Sequence, residues 1–110
     1  AVPRPAAGEL ASDEATMADT WRRCLEGGRT DLIAWLPGRR LALSQDLLSL
    51  SGHDVAAAAA VLERRRWLGR GDWPSPSARA GLLVFDGAVK PGLVLNDAGV
   101  AQLGLAPRAA

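Results

Sequence analysis

The chain has 110 residues, of which 48% are hydrophobic and 23% charged, and its formal net charge is +1. This length and apolar content suit one domain with a single modest core, and no apolar run approaches the roughly 18 residues that a membrane span needs. A net charge so near zero gives no overall field that would draw the chain onto nucleic acid or a membrane.

Cysteine and histidine usage excludes several kinds of site. The single Cys24 cannot form an internal disulfide or a cysteine-based metal cage, and it indicates a reducing, cytoplasmic setting. The single His53 has no second histidine to join it in a metal site. We therefore expect no metal and no cofactor, and the absence of a catalytic-triad or phosphate-loop signature indicates that the domain is not an enzyme.

The predicted domain spans residues 12–104. Residues 1–11 and 105–110 are expected to be flexible tails, because proline, glycine and small residues dominate them. Two loose ends around a compact middle are typical of a domain taken from a longer protein.

The first predicted element is a helix over residues 13–26, which Ser12 caps and the Gly27-Gly28 pair ends. Apolar residues at helical spacing predict one buried face, and Cys24 is expected to be a buried small hydrophobic residue within it. The members of this face are Met17, Trp21, Cys24 and Leu25.

A hairpin is predicted next, with strands at residues 32–36 and 41–43 around the turn residues Pro37-Gly38. β-Branched and aromatic residues favour its first strand, and Trp35 is expected to lie in the core. A short second helix then begins at Ser44, its predicted cap. This helix is expected to bury Leu47, Leu48 and Leu50.

Residues 54–70, DVAAAAAVLERRRWLGR, form the segment around which the domain is expected to fold. Asp54 is placed to cap a helix, and alanine has the highest helix propensity of any residue. An apolar stripe at i, i+3, i+4 and i+7 predicts a buried face, and the arginines lie where cations meet the free carbonyls of a helix end. The helix is predicted over residues 55 to about 66. The stripe consists of Val55, Ala58, Ala59 and Leu62.

The remainder predicts a loop at residues 69–80, a strand at 81–85, a turn at Asp86-Gly87 and a second strand that ends at Leu95. Asn96 or Asp97 is expected to cap a last short helix that Gly104 ends. The predicted order is helix, hairpin, helix, helix, strand, strand, helix.

This order and the run LALSQDLLSLSGHDVAAAAAVLERRRWLGRG at residues 41–71 resemble a winged-helix domain. The resemblance implies an α+β fold, winged helix-turn-helix-like, with an extra N-terminal hairpin strand and a short C-terminal helix. Leu62 and the Trp67-Leu68 pair stand where such domains place core residues. Arg66 departs from the pattern, because many winged-helix chains have a left-handed glycine there, and the helix exit is expected to differ.

Over residues 17–103 the pattern also resembles the C-terminal domain of TraI-type conjugative relaxases. Gly81-Leu82-Leu83-Val84 match a GYLL-like stretch of that domain, which follows an early helix with a tryptophan, a hairpin, a helix and a basic helix. The resemblance carries no catalytic signature. It implies a non-catalytic accessory domain within a conjugative relaxase or another DNA-processing protein.

The arginines that follow the alanine run indicate DNA binding. Residues 63–79 hold five arginines against two acids, and arginines on a helix end and a wing suit contacts to phosphate. The alternative is that these side chains satisfy the helix end and cover apolar surface with their stems. The predicted DNA-binding residues are His53, Arg64, Arg65, Arg70, Arg79 and Lys90.

The outward face of the predicted recognition helix carries only methyl groups, at Ala56, Ala57 and Ala60. Direct readout needs polar groups that reach base edges, so we expect contact with the phosphate backbone and little sequence discrimination. The alternative function is docking of another protein, or of other domains of a longer chain, through the alanine face and Trp73. Trp73 has two further interpretations, an anchor for the wing and a platform for a base.

Overall fold

The computed structural model describes residues 10–71, 73, 75 and 78–105. Within them the elements follow the predicted order, and the α+β class is confirmed. The elements are α1 (Ser12–Glu26), β1 (Ile33–Leu36), β2 (Arg40–Ser44), α2 (Gln45–Leu50), α3 (Val55–Arg64), β3 (Gly81–Phe85), β4 (Ala88–Leu95) and α4 (Asp97–Gln102). None of these helices is both long and apolar enough to cross a bilayer.

The four strands form one antiparallel sheet in the order β1-β2-β4-β3. The register aligns Ile33 with Leu43, Leu43 with Leu93, and Leu41 with Leu95. Side chains in register share a face of the sheet, so these five residues make one apolar face, and all five are buried. All four helices contribute residues to the core that includes this face.

The predicted tails lie mostly outside the described residues, at positions 1–9 and 106–110. Three residues of the predicted tails are described, Leu10, Ala11 and Leu105. Leu10 packs against the core, and Leu105 is buried within it. The compact unit therefore includes at least residues 10 and 105.

Helix α1 begins at Ser12, and its cap differs from the prediction because Ala11 rather than Ser12 occupies the N-cap position. The backbone N–H of Ala11 donates to Oε1 of Glu14 at 2.9 Å, so a carboxylate three residues on satisfies a free donor of the first turn. The predicted burial of Cys24 is confirmed.

Helix α2 has the predicted cap, since the Ser44 hydroxyl accepts from the N–H of Leu47 at 3.1 Å. The prediction that Leu50 is buried is wrong, because its side chain is 62% exposed. A period of 3.6 residues projects position 51 between Leu47 and Leu48, whereas position 50 projects outside that pair, about 60° beyond Leu47 and about 160° from Leu48. Ser51 therefore takes the core position, where its hydroxyl accepts from the Trp21 indole N–H at 3.2 Å.

Helix α3 begins as predicted, with Oδ1 of Asp54 accepting from the N–H of Ala57 at 2.7 Å. It ends at Arg64, two residues before the predicted end. Arg66 has φ +63°, so the exit does use the left-handed conformation, and the expectation of a different exit is wrong. The side chain of Asn96 donates to the carbonyl of Arg66 at 2.9 Å and holds this turn.

The burial prediction for Trp35 is also wrong, because this side chain is 42% exposed. Its register partner is the buried Leu41, so Trp35 points to the core side of the sheet. However, β1 is an edge strand, and only β2 flanks it. Burial at an edge therefore depends on whether a helix reaches that far, which a strand pattern does not reveal.

Candidate functional site

After α3 the chain continues as an extended segment along the end of β4. Leu68 forms a bridge with Leu95, and the N–H of Gly69 donates to the carbonyl of Val94 at 2.6 Å. Alternate side chains of an extended segment point to the same side. This places the side chains of Leu68 and Arg70 together in the surface groove described next.

A groove of about 460 Å³ lies between the exit of α3 and the loop that leads to β3. Its lining combines three guanidinium groups, one tryptophan, one carboxylate and small apolar residues. We name it the arginine groove; it is lined by Glu63, Arg66, Leu68, Gly69, Arg70, Trp73, Ala78 and Arg79.

The arginine groove is positively charged. Arg79 is neutralised locally, because its Nε lies 2.7 Å from Oε2 of Glu63. Arg66 and Arg70 are exposed, and neither makes an ion pair with another residue that the structure describes. Among the described residues, these two arginines are therefore available to an anionic ligand.

Trp73 forms an aromatic wall of this groove. A Cβ placed on Gly81 would come within 2.1 Å of the Trp73 ring, and one on Gly71 within 2.7 Å. The ring thus rests directly on two glycine backbones, an approach that a side chain at either position would obstruct. Gly81 is the first residue of β3, so the ring is seated at the start of the β3–β4 hairpin.

Arg65, one of the residues predicted to bind DNA, joins α3 to α1. Its Nε donates to Oε2 of Glu14 at 2.7 Å, a terminal nitrogen donates to Oε1 at 2.5 Å, and its Cζ lies 5.0 Å from the centroid of the Trp67 ring. Hydrogen bonding from Arg65 lowers the pKa of the buried Glu14 carboxyl despite the opposing effect of burial. The same hydrogen bond raises the pKa of Arg65. Because the Arg65 guanidinium already donates to the Glu14 carboxylate, Arg65 is not part of the proposed phosphate contacts.

No protein-family model matches the chain, and no curated protein matches it.

The other predicted residues are distributed over several places. The Lys90 amine donates to the carbonyl of Asp31 at 2.7 Å and lies 3.8 Å from the Asp46 carboxylate, beside the start of α2. His53 lies in the turn between α2 and α3, with Nδ1 3.0 Å from the carbonyl of Ser51. Arg64 is exposed at the end of α3 and does not line the arginine groove. Within the described part of the chain, no group of three or more histidine, cysteine and acidic residues could hold a metal ion.

The arginine groove brings together Arg70 and Arg79 from the predicted set and adds Arg66. Arg66 was not among the predicted DNA-binding residues. The helix was expected to reach residue 66, and consecutive helical residues point about 100° apart, so Arg64, Arg65 and Arg66 could not all face one groove. The shorter helix removes this obstacle. The spacing of Leu68 and Arg70 is the period of extended backbone and is visible in the sequence, whereas Arg66 lies in the left-handed turn before them.

A second, more apolar groove of about 500 Å³ runs along the exposed side of α3. Glu63 and Arg79 line both grooves, so their ion pair forms a common wall. We name this second depression the alanine groove; it is lined by Val55, Ala56, Ala59, Ala60, Glu63, Arg79 and Ala80.

Proposed function

We propose that this chain is a winged-helix-like module that binds nucleic acid through the phosphate backbone, with little sequence discrimination. The arginine groove carries the proposal. Arg66 and Arg70 are exposed there without an ion pair to any described residue, and Arg79 lies beside them. Guanidinium groups stay charged and present paired donors that match the geometry of phosphate oxygens.

The arrangement of elements supports the winged-helix part of the proposal. Helix α2, a turn at residues 51–54 and helix α3 precede the β3–β4 hairpin, and β4 pairs with β2 on its other side. A winged helix needs this sequence of helices, hairpin and returning strand; β1 and α4 are additions. From the same resemblance we propose a non-catalytic accessory domain of a conjugative relaxase or another DNA-processing protein.

The exposed face of α3 supports the low sequence discrimination. Ala56, Ala57 and Ala60 are exposed and offer no donor or acceptor to a base edge. The three arginines of the arginine groove lie beyond the end of this helix, where they suit phosphates instead.

The test is a fluorescence anisotropy titration of labelled duplex DNA with the full chain at several salt concentrations. Two to three phosphate contacts predict a slope of about −2 to −3 for log K against log salt concentration, since each contact contributes about −0.9. The double variant Arg66→Glu with Arg70→Glu should bind more weakly and lose most of that slope.

The matched control is Arg23→Glu with Arg29→Glu, which makes the same change in net charge at exposed positions outside the arginine groove. This control should retain most of the affinity. The proposal fails if the wild-type chain binds no oligonucleotide at low salt, or if the groove variant and the control lose the same affinity.

A second candidate function is docking of a protein, or of another domain of a longer chain, in the alanine groove. The specific observation is its lining of small apolar side chains around Ala56 and Ala60, which can approach a partner closely. In this case Ala60→Arg should abolish partner binding and leave oligonucleotide binding unchanged. The absence of any oligonucleotide binding at low salt would favour this candidate over the first.

A further inference from the structure

We infer that the arginine groove holds one unpaired nucleotide, with its base against the Trp73 ring and its phosphate between Arg66 and Arg70. The inference rests on the proposed function and adds the strand class: single-stranded nucleic acid, or an unpaired end, is preferred over blunt duplex.

The first support is the seating of Trp73. Its ring lies against the backbones of Gly71 and Gly81 and forms part of the groove lining. A ring supported in this way keeps its orientation without a ligand, which lowers the entropic cost of binding. Bases stack on such rings irrespective of sequence, because every base has a π-face.

The second support is the division of the lining into apolar and charged parts. Leu68, Gly69 and Ala78 line the groove together with the ring, and Arg66 and Arg70 supply charge. A nucleotide has the same two parts, a flat weakly polar base and an anionic phosphate. A volume of about 460 Å³ lies within the range of small-ligand pockets, so it suits one nucleotide.

The third support is that bases within a duplex cannot reach this wall. A paired base is stacked on both sides, and exposing its face costs the energy of unstacking. A single strand offers its bases without that cost. A duplex would regain affinity if α3 contacted its bases, but Ala56, Ala57 and Ala60 present only methyl groups. The advantage of the single strand therefore remains.

The experiment compares three labelled ligands by anisotropy at low salt: an oligothymidylate of about 12 nucleotides, a blunt hairpin duplex, and the same duplex with an unpaired tail. We expect the wild-type chain to prefer the oligothymidylate and the tailed duplex. Trp73→Ala should weaken oligothymidylate binding between about 5-fold and 150-fold, the range for removal of one stacking aromatic, and leave blunt-duplex affinity unchanged. Trp73→Phe should restore most of the loss. The matched control is Trp35→Ala, at the other partly exposed tryptophan, which lies outside the groove.

The outcomes separate the two proposals. The nucleotide site is overturned if Trp73→Ala lowers the affinity for oligothymidylate and for blunt duplex equally, or if the wild-type chain does not prefer unpaired strands. Either result leaves the proposal of phosphate binding intact. No binding of any ligand overturns both. If circular dichroism shows that Trp73→Ala is unfolded, intrinsic fluorescence decides. Quenching by oligothymidylate that disappears in Trp73→Phe supports stacking, and equal quenching in both chains refutes it.

Discussion

Replacing Glu14 with glutamine is expected to destabilise the fold by roughly 2 kcal/mol. The carboxylate is 1% exposed and accepts from the backbone of Ala11 and from two nitrogens of Arg65. Removing one partner of a buried ion pair costs about 3–5 kcal/mol. We reduce that figure because the Arg65 side chain is 30% exposed and water can solvate part of the released charge.

Urea denaturation of a double-mutant cycle measures this interaction directly. The cycle compares the wild-type chain with Glu14→Ala, Arg65→Ala and the double variant. The coupling energy is the difference between the destabilisation of the double variant and the sum of the two single-variant destabilisations. The control is the pair of Asp19 with Arg23, whose side chains are 52% and 76% exposed and whose coupling should be about 0.5 kcal/mol or less. A coupling for Glu14 with Arg65 no larger than this control would refute the reasoning.

The pH dependence provides a second measurement of the same interaction. The pKa of Glu14 is lower in the folded chain than its ordinary value of 4.5, so the pair contributes fully above that value. Its contribution is lost as the pH falls through the folded-state pKa. The difference in unfolding free energy between the wild-type chain and Glu14→Gln should therefore be constant near neutrality and shrink below pH 4.5. A difference that does not change with pH would contradict the assignment.

Two further predictions concern the arginine groove. Arg66→Gly should be more stable to urea than Arg66→Ala by about 1 kcal/mol, because only glycine adopts a left-handed backbone without strain. Equal stabilities of the two variants would contradict this account. Both variants should bind oligonucleotides more weakly than the wild-type chain. Gly81→Ala should displace the Trp73 ring and shift its emission to the red. Because a side-chain ring can move aside, the unfolding free energy should change by less than about 1 kcal/mol, and unchanged emission would show that the ring is not seated on Gly81.

The order of elements could be predicted because its signals are local. The caps Ser44, Asp54 and Asn96 each accept from a backbone N–H three residues on, and such spacing is visible in a sequence. Burial is different, because it depends on what lies opposite a residue. Leu50 and Trp35 are both large and apolar, but Leu50 faces away from the core and Trp35 lies on an edge strand.

The candidate site was only partly predictable for the same reason. The count of arginines after α3 identified Arg70 and Arg79, because local charge excess is a property of sequence alone. The partner of Arg65 is 51 positions away, and no pattern near residue 65 indicates that Glu14 binds it. The placement of Trp73 against Gly71 and Gly81 likewise depends on how the loop before β3 folds back.

The ion pair between Glu63 and Arg79 has a thermodynamic consequence for the two surfaces that it separates. A phosphate that drew Arg79 into the arginine groove would leave the Glu63 carboxylate uncompensated at the rim of the alanine groove. A cationic partner of the alanine groove would then bind more tightly, and by linkage that partner would strengthen phosphate binding by the same factor. An acidic partner would couple with the opposite sign, so the charge of a ligand on one surface sets its cooperativity with the other.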